Sequence, residues 1–156
     1  MSESNRLESL IDQYGNALYR ASLALLGDVQ EAEDAVQDAF VRYLERRTAF
    51  ESDAHAGHWL MKVALNGCKS RLRRKLRRPT VELLDIYPAP DGDSRELVEA
   101  VLALPPKQRA AVHLHYYEGY TTDEIARMLG QRPGTVRSHL SRAREALREQ
   151  LKGEFG

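Results

Sequence analysis

The chain has 156 residues with 23 basic and 23 acidic side chains, so its formal net charge is zero; this excludes a uniformly basic nucleic-acid coat but not a local basic stripe. Hydrophobic residues make up 42% and charged residues 29%, which excludes a wholly disordered or collagen-like chain. The single cysteine, Cys68, excludes a disulfide scaffold, and no apolar run approaches the ~18 residues of a membrane span. Met1-Ser2-Glu3-Ser4-Asn5 has no basic stretch followed by an apolar one. No signal peptide or membrane insertion is therefore expected, and the chain reads as soluble and cytoplasmic. Its length fits one domain or two small ones, each marginal alone.

The first predicted helix runs from about Asn5 to Leu26. Leu7, Leu10, Ile11, Tyr14, Leu18, Ala21 and Leu25 recur at three- and four-residue steps. Gly27 ends it. Asp28 then offers a capping oxygen, with Glu31 three positions on, a capping box with Asp in place of Ser or Thr. A second helix runs to about Arg47 on a stripe of Ala32, Ala35, Val36, Ala39, Phe40 and Tyr43. The polar stretch Thr48 to Gly57 reads as a loop. A third helix is expected from about His58 to Arg77, with Leu60, Val63, Ala64, Cys68, Leu72 and Leu76 in phase. Pro79 stops it.

Between Pro79 and Asp93 the composition changes. Pro79, Pro88, Pro90 and Gly92 are breakers, and Glu82, Asp85, Asp91 and Asp93 stand without a basic residue. This reads as a flexible acidic linker over 79–93. Ser94 is positioned to cap a fourth helix, Arg95 to Ala103. After Leu104-Pro105-Pro106 a helix runs to about Glu118 and stops at Gly119. A short helix capped by Thr121 or Thr122 ends at Leu129, Gly130 to Pro133 turn, and a last helix spans about Gly134 to Lys152. No alternating strand pattern and no repeat is present. The expected fold is all-α, with two small helical domains: three helices over 5–78 and four over 94–152.

The stretch TTDEIARMLGQRPGTVRSHLSRAREAL, Thr121 to Leu147, has the parts of a helix-turn-helix. Ala126 permits close approach of the two helices. Gly130 tolerates a left-handed turn. Ile125, Leu129, Val136 and Leu140 fill the wedge between the helices. The second helix then exposes Thr135, Arg137, Ser138, Ser141 and Arg142, side chains that bond base edges or phosphates. The alternative is an ordinary helical hairpin with solvated arginines.

Upstream, Lys69, Arg71, Arg73, Arg74, Lys75, Arg77 and Arg78 form a basic stripe suited to phosphate contact. Trp59, Lys62 and Asn66 precede it. Trp59 is either core packing or a platform for an unpaired base, and Asn66 has the amide that reads a base edge. The second helix opens acidic, with Glu31, Glu33, Asp34 and Asp38. Acids in a first turn suit the helix dipole, but Asp38 lies deeper, and with Asp34 and Gln37 it suggests a basic protein partner. The histidines His55, His58, His113, His115 and His139 are scattered. His113 and His115 point to different helix faces. No metal site, no cofactor and no catalytic constellation is expected, so the chain does not read as an enzyme. Cys68 is expected half-buried in packing.

These pieces in this order resemble the extracytoplasmic-function sigma factors, the minimal bacterial type with only regions 2 and 4. AEDAVQDAFVRYLE is similar to the region 2 helix that docks on the polymerase β′ clamp helices. WLMKVALNGCKSRLRR is similar to the promoter −10 helix, and LPPKQRAAVHLHYYEGYTTDEIARMLGQRPGTVRSHLSRAREAL to region 4. The resemblance spans about Leu7 to Leu151. It implies that Asp34, Gln37 and Asp38 dock on β′. It implies that Phe50, Trp59, Lys62, Asn66, Lys69 and Arg73 hold the −10 strand, and that Thr135, Arg137, Ser138, Ser141 and Arg142 read the −35 duplex. The helix Pro106 to Glu118, with its surroundings, would hold the β flap tip. The implied partners are core RNA polymerase and promoter DNA; many relatives are also held by an anti-sigma factor. The loop ESDAHAGHW departs from the family in lacking an aromatic before Trp59, and Ser141 replaces a larger side chain often found there. A stand-alone helix-turn-helix regulator, binding duplex without polymerase, would leave Asp34, Gln37 and the basic helix unused.

Overall fold

The computed structural model of the chain describes residues 3–46, 49–74 and 99–155. All regular structure among them is helical, as the three- and four-residue apolar spacing predicts. Helix α1 is Glu3–Leu26, α2 is Val29–Glu45 and α3 is Asp53–Arg74. Residues 99–102 are helical and are labelled α4. Helix α5, Pro106–Val112, continues as a π-helical turn, His113–Tyr117; α6 is Thr122–Leu129 and α7 is Pro133–Phe155. The expected linker, with Glu82, Asp85, Asp91 and Asp93, lies outside the described residues, as do Lys75, Arg77, Arg78 and Ser94.

Local chemistry sets the first corner. Gly27 has φ 68°, a left-handed conformation that glycine adopts without strain, and its N–H bonds the Leu23 carbonyl at 2.7 Å. The Asp28 carboxylate then accepts from the Glu31 backbone N–H at 3.0 Å and starts α2. The next corner differs from expectation. Helix α3 begins at Asp53, five residues before His58, because Ser52 Oγ accepts from the His55 backbone N–H at 3.0 Å and Asp53 suits the first turn. Ala56 and Gly57, expected in a loop, are buried in α3.

The helix expected from Pro106 to Glu118 is α-helical only to Val112. At its end the Glu118 N–H bonds the His113 carbonyl, five residues back, at 3.1 Å. The wider turn keeps His113 and Leu114 buried while Tyr116 and Tyr117 face out, 58% and 59% exposed. Thr121 starts α6 with a complete capping box: Glu124 N–H to Thr121 Oγ1 at 3.1 Å, and Thr121 N–H to Glu124 Oε1 at 3.0 Å. Gly130, at φ 65° and ψ 40°, ends it.

Among the described residues a large apolar core runs through both halves, with Leu23 and Ala32 forming a smaller cluster apart from it. Leu10, Leu18, Tyr43, Leu60 and Leu65 from the first half join Leu114, Ile125, Leu129, Val136 and Leu140 from the second. Each large side chain so buried stabilises the fold by about 1.5–3 kcal/mol. Helix α1 is the hub, with α2, α3 and α5 all packed on it. Its residues Ala21 to Leu25 are therefore buried on every side, where periodicity predicts one apolar face. Ile11, predicted in the core stripe, is 42% exposed instead.

Candidate nucleic-acid interface

The helix-turn-helix forms as its residues predict. Ile125, Ala126, Leu129, Val136 and Leu140 are buried between α6 and α7. Thr135, Arg137, Ser138, Ser141 and Arg142 all stand exposed on the opposite face of α7. Sequence reasoning missed His139 among them. It is half-buried on this helix, and burial, followed by the nearby charges of Lys107 and Arg142, lowers its pKa. The signal lay in helical spacing: His139 sits three residues before Arg142.

On α3 the expected −10 residues separate into two groups. Phe50 is the centre of an aromatic cluster. Its ring centroid lies 5.9 Å from Tyr43, 5.1 Å from His55 and 5.4 Å from Trp59. The Arg46 guanidinium lies 3.7 Å from the Tyr43 ring and 4.3 Å from Phe50, close enough for cation–π attraction. Trp59 is both a half-buried core neighbour and a member of this cluster. Arg46 was not singled out from the sequence, and His55 was read there only as one of the scattered histidines and as part of the loop that departs from the family. His55 Nδ1 accepts from the Glu51 N–H at 3.3 Å, which leaves Nε2 as its N–H donor.

Lys62, Asn66, Lys69 and Arg73 form the second group, at four- and three-residue steps along one face of α3. Lys62, Asn66 and Arg73 are exposed. Lys69 is not: its Nζ donates to the Leu129 carbonyl at 2.5 Å, and burial, with Lys107 and Arg73 nearby, lowers its pKa. The basic stripe is thus not uniformly solvated. Arg71 also turns inward, to Asp38 at 2.7 Å and Glu31 at 3.6 Å.

That pairing joins the basic stripe to the acidic helix. Asp38, 66% exposed, keeps an open edge beside Arg71. Asp34 accepts from Gln30 Nε2 at 3.0 Å, and Gln37 is exposed. Beside them a 630 Å³ groove between α1 and α2 is lined by Ile11, Tyr19, Val36, Gln37 and Phe40. Val41 and Leu44 add exposed apolar surface on α2, 50% and 51% exposed; both lie off the alanine stripe that faces the core.

A second, apolar cavity of 440 Å³ lies by the π-helical turn, lined among others by Val101, Val112, Tyr116, Tyr117 and Leu147. Arg144 at its rim donates to the Tyr116 hydroxyl at 3.0 Å. His113 and His115 diverge as expected. His113 Nε2 stands 2.9 Å from Glu118, and His115 Nδ1 stands 2.9 Å from the Tyr120 carbonyl. His58 lies 3.4 Å from Glu124. Cys68 is fully buried rather than half-buried. Burial pushes its thiol up to about 11, against smaller opposing effects of Ser22 and Arg71. No helix among the described residues is long and apolar enough to cross a membrane.

Comparison with known proteins agrees with this arrangement. Residues 10–78 match the family Sigma-70 region 2, and residues 94–147 match Sigma-70, region 4. The ECF RNA polymerase sigma factor SigM of Mycobacterium tuberculosis is 34% identical over 145 residues, 90% of this chain and 74% of that protein. The RNA polymerase sigma-E factor of Streptomyces coelicolor is 34% identical over 157 residues, 97% of this chain and 89% of that protein. The sigma factor RpoE of Bartonella quintana, solved in complex with the anti-sigma factor NepR, superposes with a TM-score of 0.74 at 27% identity, covering 93% of this chain and 96% of that one. With both sigma-70 regions present in order, and relatives of this identity over nearly the whole length, the chain belongs to the extracytoplasmic-function RNA polymerase sigma factors.

Proposed function

We propose that this sigma factor, which directs core RNA polymerase to promoters, divides that work among four surfaces. Asp34, Gln37 and Asp38 dock on the β′ clamp helices, with the α1–α2 groove and Val41 and Leu44 as apolar support. Phe50, Trp59, Lys62, Asn66, Lys69 and Arg73 take the −10 strand once its bases leave the stack. Thr135, Arg137, Ser138, Ser141 and Arg142 read the −35 duplex. The apolar cavity beside Tyr116 and Tyr117 receives the β flap tip. The two domains lie over 5–78 and 94–152, and the acidic stretch 79–93 joins them. The chain works in the cytoplasm as a binding factor, not an enzyme, and an anti-sigma factor is a further partner class, as it is for the Bartonella relative.

The observation that supports this reading most is the exposed row on α7. Five polar or basic side chains face solvent there, while Val136, Leu140 and Ala143 bury the other side of the same helix. Such a face, on the second helix of a helix-turn-helix, supports a recognition helix in a major groove. The zero net charge fits a factor that grips DNA only with polymerase covering its acidic face.

Run-off transcription with core polymerase freed of other sigma factors tests the reading, on templates varied in both promoter elements. Transcripts that depend on the chain, and are lost with Asn66→Ala and with Arg142→Ala, are expected. No transcript, together with tight duplex binding by the free chain, would favour a stand-alone regulator instead.

A further inference from the structure

His55 is an exposed side chain that its neighbours hold in place. Its backbone N–H donates to Ser52 Oγ at 3.0 Å. Its ring Nδ1 accepts from the Glu51 backbone N–H at 3.3 Å. Its ring also rests on Phe50, with centroids 5.1 Å apart and planes at 85°. Burial at this turn is carried by Ala56 and Gly57, not by His55. A side chain anchored in this way has already lost the entropy that a free one loses on making a contact.

The Glu51 bond also settles the tautomer. A ring nitrogen that accepts carries no proton, so the neutral imidazole places its proton on Nε2. Nε2 is then a donor only, and no described residue is paired with it.

The aromatic rings beside His55 are engaged with one another. Phe50 stacks with Tyr43 at 13°, tilts against Trp59 at 5.4 Å and lies 4.3 Å from the Arg46 guanidinium. Stacking on such a cluster is available to every base, because every base has a π-face. It gives affinity for a strand without choosing among bases. At 85° to Phe50 the imidazole is not a further parallel plate, so what it adds is a polar atom. Asn66 lies about three turns and 16 Å further along α3, where it meets a different nucleotide. Its amide carries both a donor and an acceptor; His55 Nε2 offers one fixed sign.

The four bases divide on that sign. Guanine carries O6 and thymine O4, both acceptors, where adenine and cytosine carry amino donors. A fixed donor facing a keto oxygen makes a bond. Facing an amino group, it leaves two donors desolvated and unmatched.

We propose that His55 is a specificity-determining residue of the −10 half: its Nε2–H donates to the keto oxygen of one unpaired base, and so selects guanine or thymine over adenine or cytosine at that position. The inference rests on the −10 assignment made above and deepens it.

Asparagine and glutamine separate the two ring nitrogens, since the Asn amide reaches the place of Nδ1 and the Gln amide that of Nε2. Run-off transcription with core polymerase reads the preference, on templates carrying each of the four bases in turn at every −10 position of the non-template strand. At one position the wild-type chain should give about tenfold more transcript on guanine or thymine than on adenine or cytosine, the weight of one hydrogen bond made or missed. His55→Gln should keep that preference. His55→Asn and His55→Leu should flatten it to within about twofold, with the preferences at the other −10 positions and at −35 unchanged. A wild-type chain with no keto preference at any −10 position would overturn the inference. So would an Asn variant that keeps the preference while the Gln variant loses it, because His55 would then serve only to hold the Glu51 N–H. A uniform loss of transcript on all templates in every variant, Gln included, would make His55 a folding residue instead. If His55→Leu changes no preference while Asn66→Ala still abolishes transcription, His55 alone has failed and α3 keeps its −10 role. If both substitutions leave transcription unchanged, the −10 assignment has failed and the inference falls with it.

Discussion

The Tyr14 ring lies across Gly57 so closely that a Cβ there would stand 2.5 Å from both Cε1 and Cζ. This contact fixes the first turns of α3 against α1, so glycine is required by space rather than by backbone conformation. Gly57→Ala gains about 1 kcal/mol of helix propensity but overpacks the contact by about 1–3 kcal/mol. The overpacking wins, and a lower urea midpoint is expected. In a Tyr14→Ala background the same substitution should become neutral or stabilising. A Gly57→Ala variant more stable than wild type with Tyr14 in place would show that the ring yields.

Asp38 and Arg71 form an ion pair at 2.7 Å, with the carboxylate 66% exposed. Exposed pairs add only about 0–1 kcal/mol, so Asp38→Ala should barely move the unfolding midpoint. Its affinity for core polymerase should fall by about tenfold, the loss expected for a charged interface residue. Arg71→Ala removes the competitor and leaves Asp38 free, so it should keep that affinity. Equal losses in both variants would place the pair in folding rather than docking.

Local chemistry made much of this fold legible. Gly27 with Asp28, and Thr121 with Glu124, are stop and start signals whose donors and acceptors lie within four residues; the Asp28 cap forms on the Glu31 N–H, and the full capping box forms at Thr121 and Glu124. The start of α3 was hidden because Asp53-Ala54-His55-Ala56-Gly57 has no large apolar residue to show a period. Tyr14 of α1 supplies the bulk that Gly57 lacks. The exposed row on α7 was readable from spacing, since one helix decides it. The engagement of Lys69 was not, because its acceptor, Leu129, is sixty residues away. Spacing also does not reveal the π-helical turn at His113–Tyr117, whose extra residue is held by the Glu118 bond to His113.

Glu118 gives the chain an acid-sensitive joint. Burial raises its pKa, but hydrogen bonds from His113 and Arg20, together with their charges, more than offset this, and the net shift is downward. A carboxylate depressed in the folded state stabilises the fold fully above its unfolded pKa. That contribution is lost as pH falls through the lower folded value. Urea stability should therefore decline below about pH 4.5. Glu118→Gln should be less stable near neutrality and show a shallower acid decline. An unchanged pH profile in Glu118→Gln would mean that other carboxylates govern the acid limb.

Cys68 is fully buried, and burial pushes its thiol up to about 11. At pH 8 about one thiol in a thousand is then ionised, and the thiolate is the reactive form. The native chain should resist maleimide labelling and mild peroxide, and react only as it unfolds. The labelling rate should rise with urea in step with the loss of helix. Rapid labelling of the native chain would show that the packing around Cys68 opens, and would make the thiol a credible oxidation sensor.

The exposed row on α7 should divide into base-reading and phosphate-holding positions. Residues near the start of a recognition helix reach base edges, and Arg137 lies in the first turns of α7, which opens at Pro133. Arg142 lies further along, where it and Lys107 bring positive charge to bear on His139. That cationic ground suits a phosphate. Arg137→Ala should therefore relax preference at one −35 base pair by about 1–3 kcal/mol. Arg142→Ala should weaken all templates alike and lower the salt slope by about 1. Run-off yields across templates changed one −35 base at a time, repeated over a salt series, separate the two. If Arg142→Ala changes the preferred base and Arg137→Ala does not, α7 lies in the groove with its middle, not its first turns, against the bases.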